Sequence, residues 1–229
     1  MKLFPGRQAF LGYSLTAWLI LLVMFPGAGF PQDRLRSDHW QSRNGLFEQE
    51  LDSIPRNGVV FLGNSITEGF ELEVWFPGQD YLNRGIAADH LDGLLERLDN
   101  SATGLEPAKL FIMIGINDIG AGRDNTYLKS MFTVLVDTLK QALPGTEIYI
   151  HSILPTTARW KNCPPRQIRK VNRFLAKLAH KRDLVFVDLH PLFLDGRNYL
   201  AQQYTRDGLH LNQEGYAVWV KEIEGYLLD

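Results

Sequence analysis

Residues 110–115 read Leu-Phe-Ile-Met-Ile-Gly, an unbroken apolar run that ends at a glycine. Two other runs have the same character, VVFLG at 59–63 and LVFVDL at 184–189. They lack the alternation of a strand with one wet face, and near-continuous apolar runs are typical of parallel strands covered on both sides. The sequence therefore predicts a sheet that helices flank on both faces.

Strand and helix patterns alternate along the rest of the chain. Five apolar runs bounded by Gly, Pro or polar turns predict strands over 58–63, 81–86, 110–114, 147–154 and 184–189. Apolar residues with helical spacing begin after the second, third, fourth and fifth runs, at Leu91, Leu128, Ile168 and Tyr216. This order predicts a doubly wound α/β sandwich with a parallel sheet.

The first 29 residues differ from the rest. Lys2 and Arg7 precede the uncharged stretch 10–25, and small residues follow it at 27–29. This pattern predicts a signal peptide over 1–29 and one domain over 30–229, exported to the periplasm or the medium. An uncleaved membrane anchor, with membrane association through this segment, is the alternative, although sixteen residues fall short of the ~20 that span a bilayer.

Composition narrows the function classes. The chain has 229 residues, of which 45% are hydrophobic and 22% charged, with 24 Lys and Arg against 26 Asp and Glu. These are ordinary values for a globular domain, and no basic run is interleaved with aromatic residues, so nucleic acid is not an expected partner. The single cysteine, Cys163, cannot close an internal disulfide, and no Cys/His cluster has metal-ligand spacing. We expect neither a metal nor a cofactor; the oligomeric state is left open.

Candidate catalytic residues lie where the predicted strands end. Ser65 follows the first strand, and His210 precedes the last helix with Asp207 three residues before it. A serine hydroxyl needs a base, neutral histidine is the usual one, and an aspartate can fix the histidine tautomer. Each residue alone also suits a turn, a helix cap or a packed histidine.

Two further residues are candidate donors for the oxyanion of an acyl-transfer intermediate. Gly85 follows the second strand and can bring its backbone N–H close to a substrate; Asn117 follows the third and has a side-chain N–H donor. Both are also common turn residues. Carboxyl ends of parallel strands share one sheet edge, so we expect all five candidates to converge there.

These residues stand in four blocks: GNSIT around Ser65, NRGI around Gly85, GIND around Asn117 and DGLH ending at His210. In this order the blocks resemble those of the SGNH (GDSL-type) hydrolase superfamily, most of all the branch of platelet-activating-factor acetylhydrolase subunits and bacterial acetylesterases. One departure is visible, because Asn64 stands where the GDSL pattern has aspartate.

The resemblance implies a flavodoxin-like three-layer sandwich with a five-stranded parallel sheet in the order 2-1-3-4-5. It makes Ser65 the nucleophile, His210 the general base and Asp207 the residue that orients it. It also implies an oxyanion hole formed by the N–H groups of Ser65 and Gly85 and by the Asn117 side chain. An ordinary α/β-hydrolase is excluded because Thr67 replaces the last glycine of G-x-S-x-G.

Three more residues are candidates for substrate binding. Asp89 and His90 follow the Gly85 loop, and Trp160 lies in the polar segment after the fourth strand. The predicted protein is a serine esterase that removes short acyl groups, above all O-acetyl groups on carbohydrate, through an acyl-serine intermediate. Its expected substrate is a small-molecule or polysaccharide ester. A lysophospholipase or thioesterase is the alternative enzyme, and a non-catalytic carbohydrate- or lipid-binding module on the same fold is the alternative outside enzymes.

Overall fold

The computed structural model describes residues 36–227. Its five strands form one all-parallel sheet in the order β2-β1-β3-β4-β5, as predicted. The strands are shorter than predicted at most ends: β1 Val59–Gly63, β2 Leu82–Gly85, β3 Lys109–Met113, β4 Glu147–His151 and β5 Val185–Val187. The predicted segment 1–29 lies outside the described residues.

Helices connect the strands and cover both faces of the sheet. The α-helices of the described chain are α1 Asp38–Glu50, α2 Ser65–Glu68, α3 Leu72–Trp75, α4 Leu91–Glu96, α5 Leu98–Ser101, α6 Ile116–Gly120, α7 Asn125–Ala142, α8 Pro165–Arg182 and α9 Gln213–Ile223. The Asn212 side chain caps α9, because its oxygen accepts a hydrogen bond from the Gly215 N–H at 3.0 Å. Between residues 36 and 227, no helix combines the length and apolarity needed to cross a membrane.

Successive residues of each central strand belong to different cores. Val60 and Leu62 of β1 pack with α4, α7 and α8 on one face, whereas Phe61 packs with α2, α3 and α9 on the other. In β3, Phe111 stacks on Phe61 with ring centroids 4.9 Å apart. Both faces are dry, which explains why the strand sequences carry no polar alternation. The central strands are thereby held rigidly, and so is the sheet edge formed by their carboxyl-terminal ends, where the site lies.

Asp118, in α6, couples the loop after β3 to the loop after β2. Its carboxylate is fully buried and accepts hydrogen bonds from the Leu91 N–H, at the start of α4, at 3.2 and 3.3 Å. Burial raises the pKa of Asp118 to about 7, against the lowering effect of the Leu91 N–H. Below about pH 7 the protonated carboxyl is therefore favoured in the folded protein.

This pKa predicts how stability changes with pH. Between about pH 4 and 7 the folded state holds a proton that the unfolded state has lost, so the free energy of unfolding falls as pH rises through this window. The Asp118 contribution to this fall is about 4 kcal/mol at most. Asp118→Asn cannot ionise, and its denaturant unfolding curves should depend less on pH between about 4 and 7. An unchanged dependence would contradict the assignment.

Candidate active site

Ser65 is held at the carboxyl edge of the sheet by a helix cap. Asn64 directly follows β1, and its side-chain Oδ1 accepts a hydrogen bond from the Ile66 N–H at 3.1 Å. This cap makes Ser65 the first residue of α2, half-buried, with its N–H donating to no acceptor in the described chain. The asparagine that departs from the GDSL pattern thus keeps a capping role.

A continuous hydrogen-bond chain links Ser65, His210 and Asp207. The Ser65 Oγ lies 3.0 Å from His210 Nε2, and His210 Nδ1 lies 2.7 Å from Asp207 Oδ2. The other Asp207 oxygen accepts the His210 N–H at 2.9 Å. If Nδ1 carries the proton toward Asp207, Nε2 is left to accept the Ser65 hydroxyl proton. The predicted convergence of these three residues is therefore observed.

The Asp207 carboxylate is set up to stay ionised. Burial acts against its charge, but hydrogen bonds from the His210 ring and from two backbone N–H groups lower the pKa of Asp207 to about 2. A permanent negative charge beside Nδ1 stabilises the imidazolium that forms when His210 takes a proton.

The sharp turn between these two residues depends on Gly208. It has φ +90°, and a Cβ there would lie 2.1 Å from Thr157 Oγ1. A glycine is thus required on both conformational and steric grounds. The DGLH block owes its glycine to the turn that brings His210 back to Asp207.

Asn117 is positioned by a backbone carbonyl. It lies in the first turn of α6, half-buried, and its Nδ2 donates to the Asp89 carbonyl oxygen at 2.9 Å. The amide has two N–H groups, so one fixes the orientation and the second is left for another acceptor. It lines a cavity of about 280 Å³ at this edge, as expected of an oxyanion donor.

Gly85 does not fit its predicted role as an oxyanion donor. Its N–H donates to the Asn83 side-chain oxygen at 2.9 Å, so this N–H is already bonded. A Cβ at Gly85 would lie 2.2 Å from the backbone nitrogen of Glu68. The glycine is needed because α2 packs directly on the end of β2.

Ala88, three residues later, has the properties predicted for Gly85. The Asp89 N–H donates to the Ile86 carbonyl at 3.2 Å and closes a turn in which Ala88 has φ +61°. Ala88 lines the same cavity as Asn117, and its N–H meets no acceptor among residues 36–227. Glycine is the usual residue at such a φ, so the sequence alone gave no signal for an alanine here.

Glu68 fixes the turn that carries Ala88. Its carboxylate accepts hydrogen bonds from the Ala87 N–H and, at 2.9 Å, from His39 Nε2. Glu68 lies one turn after Ser65 in α2, so a single short helix positions both the serine and the turn. Sequence reasoning missed this role because both partners come from other elements.

Asp89 is not placed to bind a substrate, contrary to the prediction. Its side chain is buried and forms an ion pair with Arg97 Nε at 2.8 Å, and it accepts the Trp40 indole N–H at 3.0 Å. Arg97 in turn donates to the carbonyl oxygens of Arg84 and Gly63 at 2.9 Å. The pair ties the ends of β1 and β2 to α4 and has no free face.

His90 and Trp160 lie on the wall of the cavity, as predicted. The cavity is lined by these two side chains, by two asparagines and by small or apolar residues: Ala88, Ile116, Asn117, Gly120, Ala121, Asn162, Cys163 and Leu209. Trp160 is 36% exposed, and its indole N–H donates to the Asp207 carbonyl at 3.2 Å. In the part of the chain that the structure describes, no three His, Cys, Asp or Glu side chains are grouped to hold a metal.

The fold and this arrangement define an ester hydrolase. More specifically, the chain belongs to the GDSL-like Lipase/Acylhydrolase family, whose model matches residues 61–218. The resemblance drawn from the four sequence blocks is thereby confirmed.

Solved structures of the same kind are similar over most of the chain. A protein from Streptococcus pneumonia named for platelet activating factor has 28% identity and a TM-score of 0.77, with 82% of this chain and 92% of that chain covered. A GDSL-like lipase from Bacteroides thetaiotaomicron has 25% identity and a TM-score of 0.73, covering 80% and 96%.

A curated relative matches over a shorter region. It is the N-acylneuraminate cytidylyltransferase of Escherichia coli O18:K1:H7 (strain RS218 / NMEC), 31% identical over 120 residues. The match covers 50% of this chain but only 27% of that enzyme.

Proposed function

We propose that the protein is a serine esterase that removes short acyl groups, O-acetyl first, from carbohydrate through an acyl-Ser65 intermediate. The observation that carries the proposal is the hydrogen-bond chain from Ser65 Oγ to His210 and Asp207, at 3.0 and 2.7 Å. A nucleophile, a base and an orienting carboxylate in this geometry suit acyl transfer.

The proton transfers of the proposed reaction use side chains and water. His210 Nε2 takes the Ser65 proton as Oγ attacks the ester carbonyl, and the imidazolium then gives that proton to the leaving alcohol. Water, activated by the same nitrogen, releases the acid from Ser65 in a second step. The ionised Asp207 stabilises the imidazolium in both steps.

We assign the oxyanion hole to the N–H groups of Ser65 and Ala88 and to the free N–H of Asn117. The two backbone groups donate to no acceptor within residues 36–227, and Ala88 and Asn117 line one cavity. Donors fixed before the reaction stabilise the developing negative charge without having to reorient.

Small residues in the cavity lining support a short acyl group. Ala88, Gly120 and Ala121 lie on the same lining as Asn117, in a space of about 280 Å³. Trp160 at its rim offers a flat ring for a sugar face. The N-acylneuraminate cytidylyltransferase takes its name from an acylated sugar, which adds support for a carbohydrate substrate.

A panel of esters tests the substrate class. Acetyl esters should equal or exceed butyryl and octanoyl esters of the same alcohol in kcat/KM. Acetyl esters of sugars should have a higher kcat/KM than acetyl esters of simple aryl alcohols. An apolar trough would instead add about 0.8 kcal/mol, or nearly fourfold, per methylene. A steady rise from acetyl to octanoyl would replace this proposal with the lipid esterase.

We also propose that the protein is exported. The support is the sequence of residues 1–29, with Lys2 and Arg7 before an apolar stretch. Protein recovered outside the cytoplasm should begin near Phe30 on N-terminal sequencing. Membrane-bound protein that keeps Lys2 would favour the anchor instead.

A further inference from the structure

Helix α8 is strongly basic in a chain with a net charge of -2. Its sequence, PRQIRKVNRFLAKLAHKR, contains Arg and Lys residues but no Asp or Glu. Five of the cations are exposed and follow one another at spacings of three or four residues: Arg166, Lys170, Arg173, Lys177 and Lys181. This spacing puts them on one helix face, over about 22 Å, and we call this face the basic stripe.

The charges of the basic stripe are not compensated within the protein. Among the described residues, no carboxylate forms an ion pair with any of its five members, whereas the neighbouring Arg182 pairs with Asp137 at 2.6 Å. The stripe also begins at the helix end where cations are least favoured, because the N-terminus of a helix carries partial positive charge. The first turn of α8 contains Arg166 and no acidic residue.

The stripe leads into a groove at the N-terminal ends of α7 and α8. This groove has a volume of about 410 Å³, and Arg123, Arg166 and Lys170 line it. The Arg123 guanidinium lies over the Tyr127 ring, 4.9 Å from its centroid. The one acidic residue of the lining, Asp124, accepts the Tyr127 N–H at 2.8 Å as the cap of α7. The groove thus combines three cations with a carboxylate already bonded to the backbone.

The same two segments line this groove and the cavity that Asn117 lines. Gly120 and Ala121 line the cavity, and the next residues, Gly122 and Arg123, line the groove. On the second segment, Cys163 lines the cavity and the next residue lines the groove. A chain-like molecule with its ester at Ser65 would therefore meet the groove next.

We propose that the groove and the basic stripe bind an anionic carbohydrate chain, and that the ester at Ser65 is carried on such a chain. The inference rests on the proposed function and narrows it to acidic carbohydrate. Repeated carboxylate, sulfate or phosphate groups at sugar spacing would meet successive guanidinium and ammonium groups along α8. Arginine and lysine bind such anions through charge-assisted hydrogen bonds.

A lipid surface fits the stripe less well. Helices that lie on membranes place apolar side chains beside their cations, where they enter the acyl region. The large apolar side chains of α8, such as Ile168, Val171 and Leu175, are buried in the core. None of the exposed large apolar residues of the described chain belongs to α8.

Binding can be measured without turnover by using full-length Ser65→Ala protein. The probe is a fluorescent oligogalacturonate longer than the stripe, with a neutral xylo-oligosaccharide of equal length and phosphatidylglycerol vesicles for comparison. The test variant adds Arg166→Gln, Lys170→Gln and Arg173→Gln. The matched control adds Arg56→Gln, Arg197→Gln and Lys221→Gln, which remove three cations elsewhere.

The oligogalacturonate should bind more tightly than the neutral chain and more weakly at high salt. The test variant should lose about tenfold or more in affinity, and the control about twofold or less. Equal losses in the two variants, equal binding of the neutral chain, or binding to the vesicles alone would each overturn the proposal. Far-UV circular dichroism checks that each variant is folded. A second variant, Arg173→Gln with Lys177→Gln, changes the stripe outside the groove and should also weaken binding.

Separate measurements distinguish failure of the proposed function from failure of this inference. Wild-type hydrolysis of a small neutral acetyl ester tests the esterase, and binding by the Ser65→Ala protein tests the stripe. Hydrolysis without oligogalacturonate binding would overturn only the proposed binding role of the basic stripe. Binding without any hydrolysis would overturn the proposed esterase activity. A last measurement uses protein that keeps Ser65. The three stripe substitutions should lower the ratio of kcat/KM for acetylated oligogalacturonate to kcat/KM for acetylated xylo-oligosaccharide about tenfold.

Discussion

A fluorophosphonate should label the protein at one residue, Ser65, and Ser65→Ala should lose the label together with about 10⁴-fold or more in kcat/KM. Only a serine whose proton passes to a base attacks phosphorus readily, and His210 Nε2 lies 3.0 Å from this hydroxyl. Intact-mass measurement gives the number of labels, and peptide mapping gives their position. The labelled protein should also be inactive toward acetyl esters.

Ser130→Ala is the matched control, because Ser130 is exposed on α7. It should keep the label and the activity. Undiminished labelling of Ser65→Ala would show that another residue is the nucleophile and would end the assignment. If Ser65→Ala loses activity but keeps the label, the labelled residue is not the one that the reaction needs.

Replacement of Asn117 should have the next largest effect. Asn117→Ala should lower kcat by about 10² to 10³ with little change in KM, the usual cost of one oxyanion donor. The reason is that the second Nδ2 hydrogen meets its acceptor only when the carbonyl oxygen becomes negative. Steady-state kinetics on an acetyl ester, under conditions where acylation limits the rate, give both constants.

Two other variants sharpen this test. Asn117→Asp puts a negative charge where the oxyanion forms, so kcat should fall at least as far as in Asn117→Ala. Asn162→Ala changes an exposed amide on the same cavity wall and should change kcat far less. A loss in KM alone for Asn117→Ala would make Asn117 a binding residue rather than an oxyanion donor.

The fold was readable from the sequence because its strongest signal is local. The run VVFLG contains residues for two cores, with Phe61 on one face and Leu62 on the other, so burial on both sides appears as an absence of alternation. The ends of the strands were less well predicted. Apolar residues such as Ile153 and Leu154 continue past β4 into loops that are themselves buried.

The site could be predicted from the sequence only where a particular side chain carries the chemistry. Ser65, Asp207 and His210 were found because a nucleophile, a carboxylate and an imidazole are distinctive in order and spacing. The donor that we propose at Ala88 was not found. Every residue except proline has a backbone N–H, and whether it is available depends on which N–H groups are already bonded.

Long-range pairing explains the other two errors of prediction. Asp89 looked like a substrate ligand because its partners, Trp40 and Arg97, lie 49 and 8 residues away in the chain. The basic stripe was missed because counting charges over the chain balances the cations of α8 against carboxylates in other elements. In both cases the deciding fact is which groups meet in space.

The buried pair of Asp89 and Arg97 also limits the mutational paths open to this lineage. Losing either partner alone strands a charge in the core, at a cost of about 3 to 5 kcal/mol, a large part of the ~5 to 15 kcal/mol that keeps a typical protein folded. Replacing both at once with apolar residues can be nearly neutral. A change to an apolar pair by one substitution at a time therefore passes through a destabilised single mutant. Such a path is open only when the rest of the protein is stable enough for that mutant to stay folded.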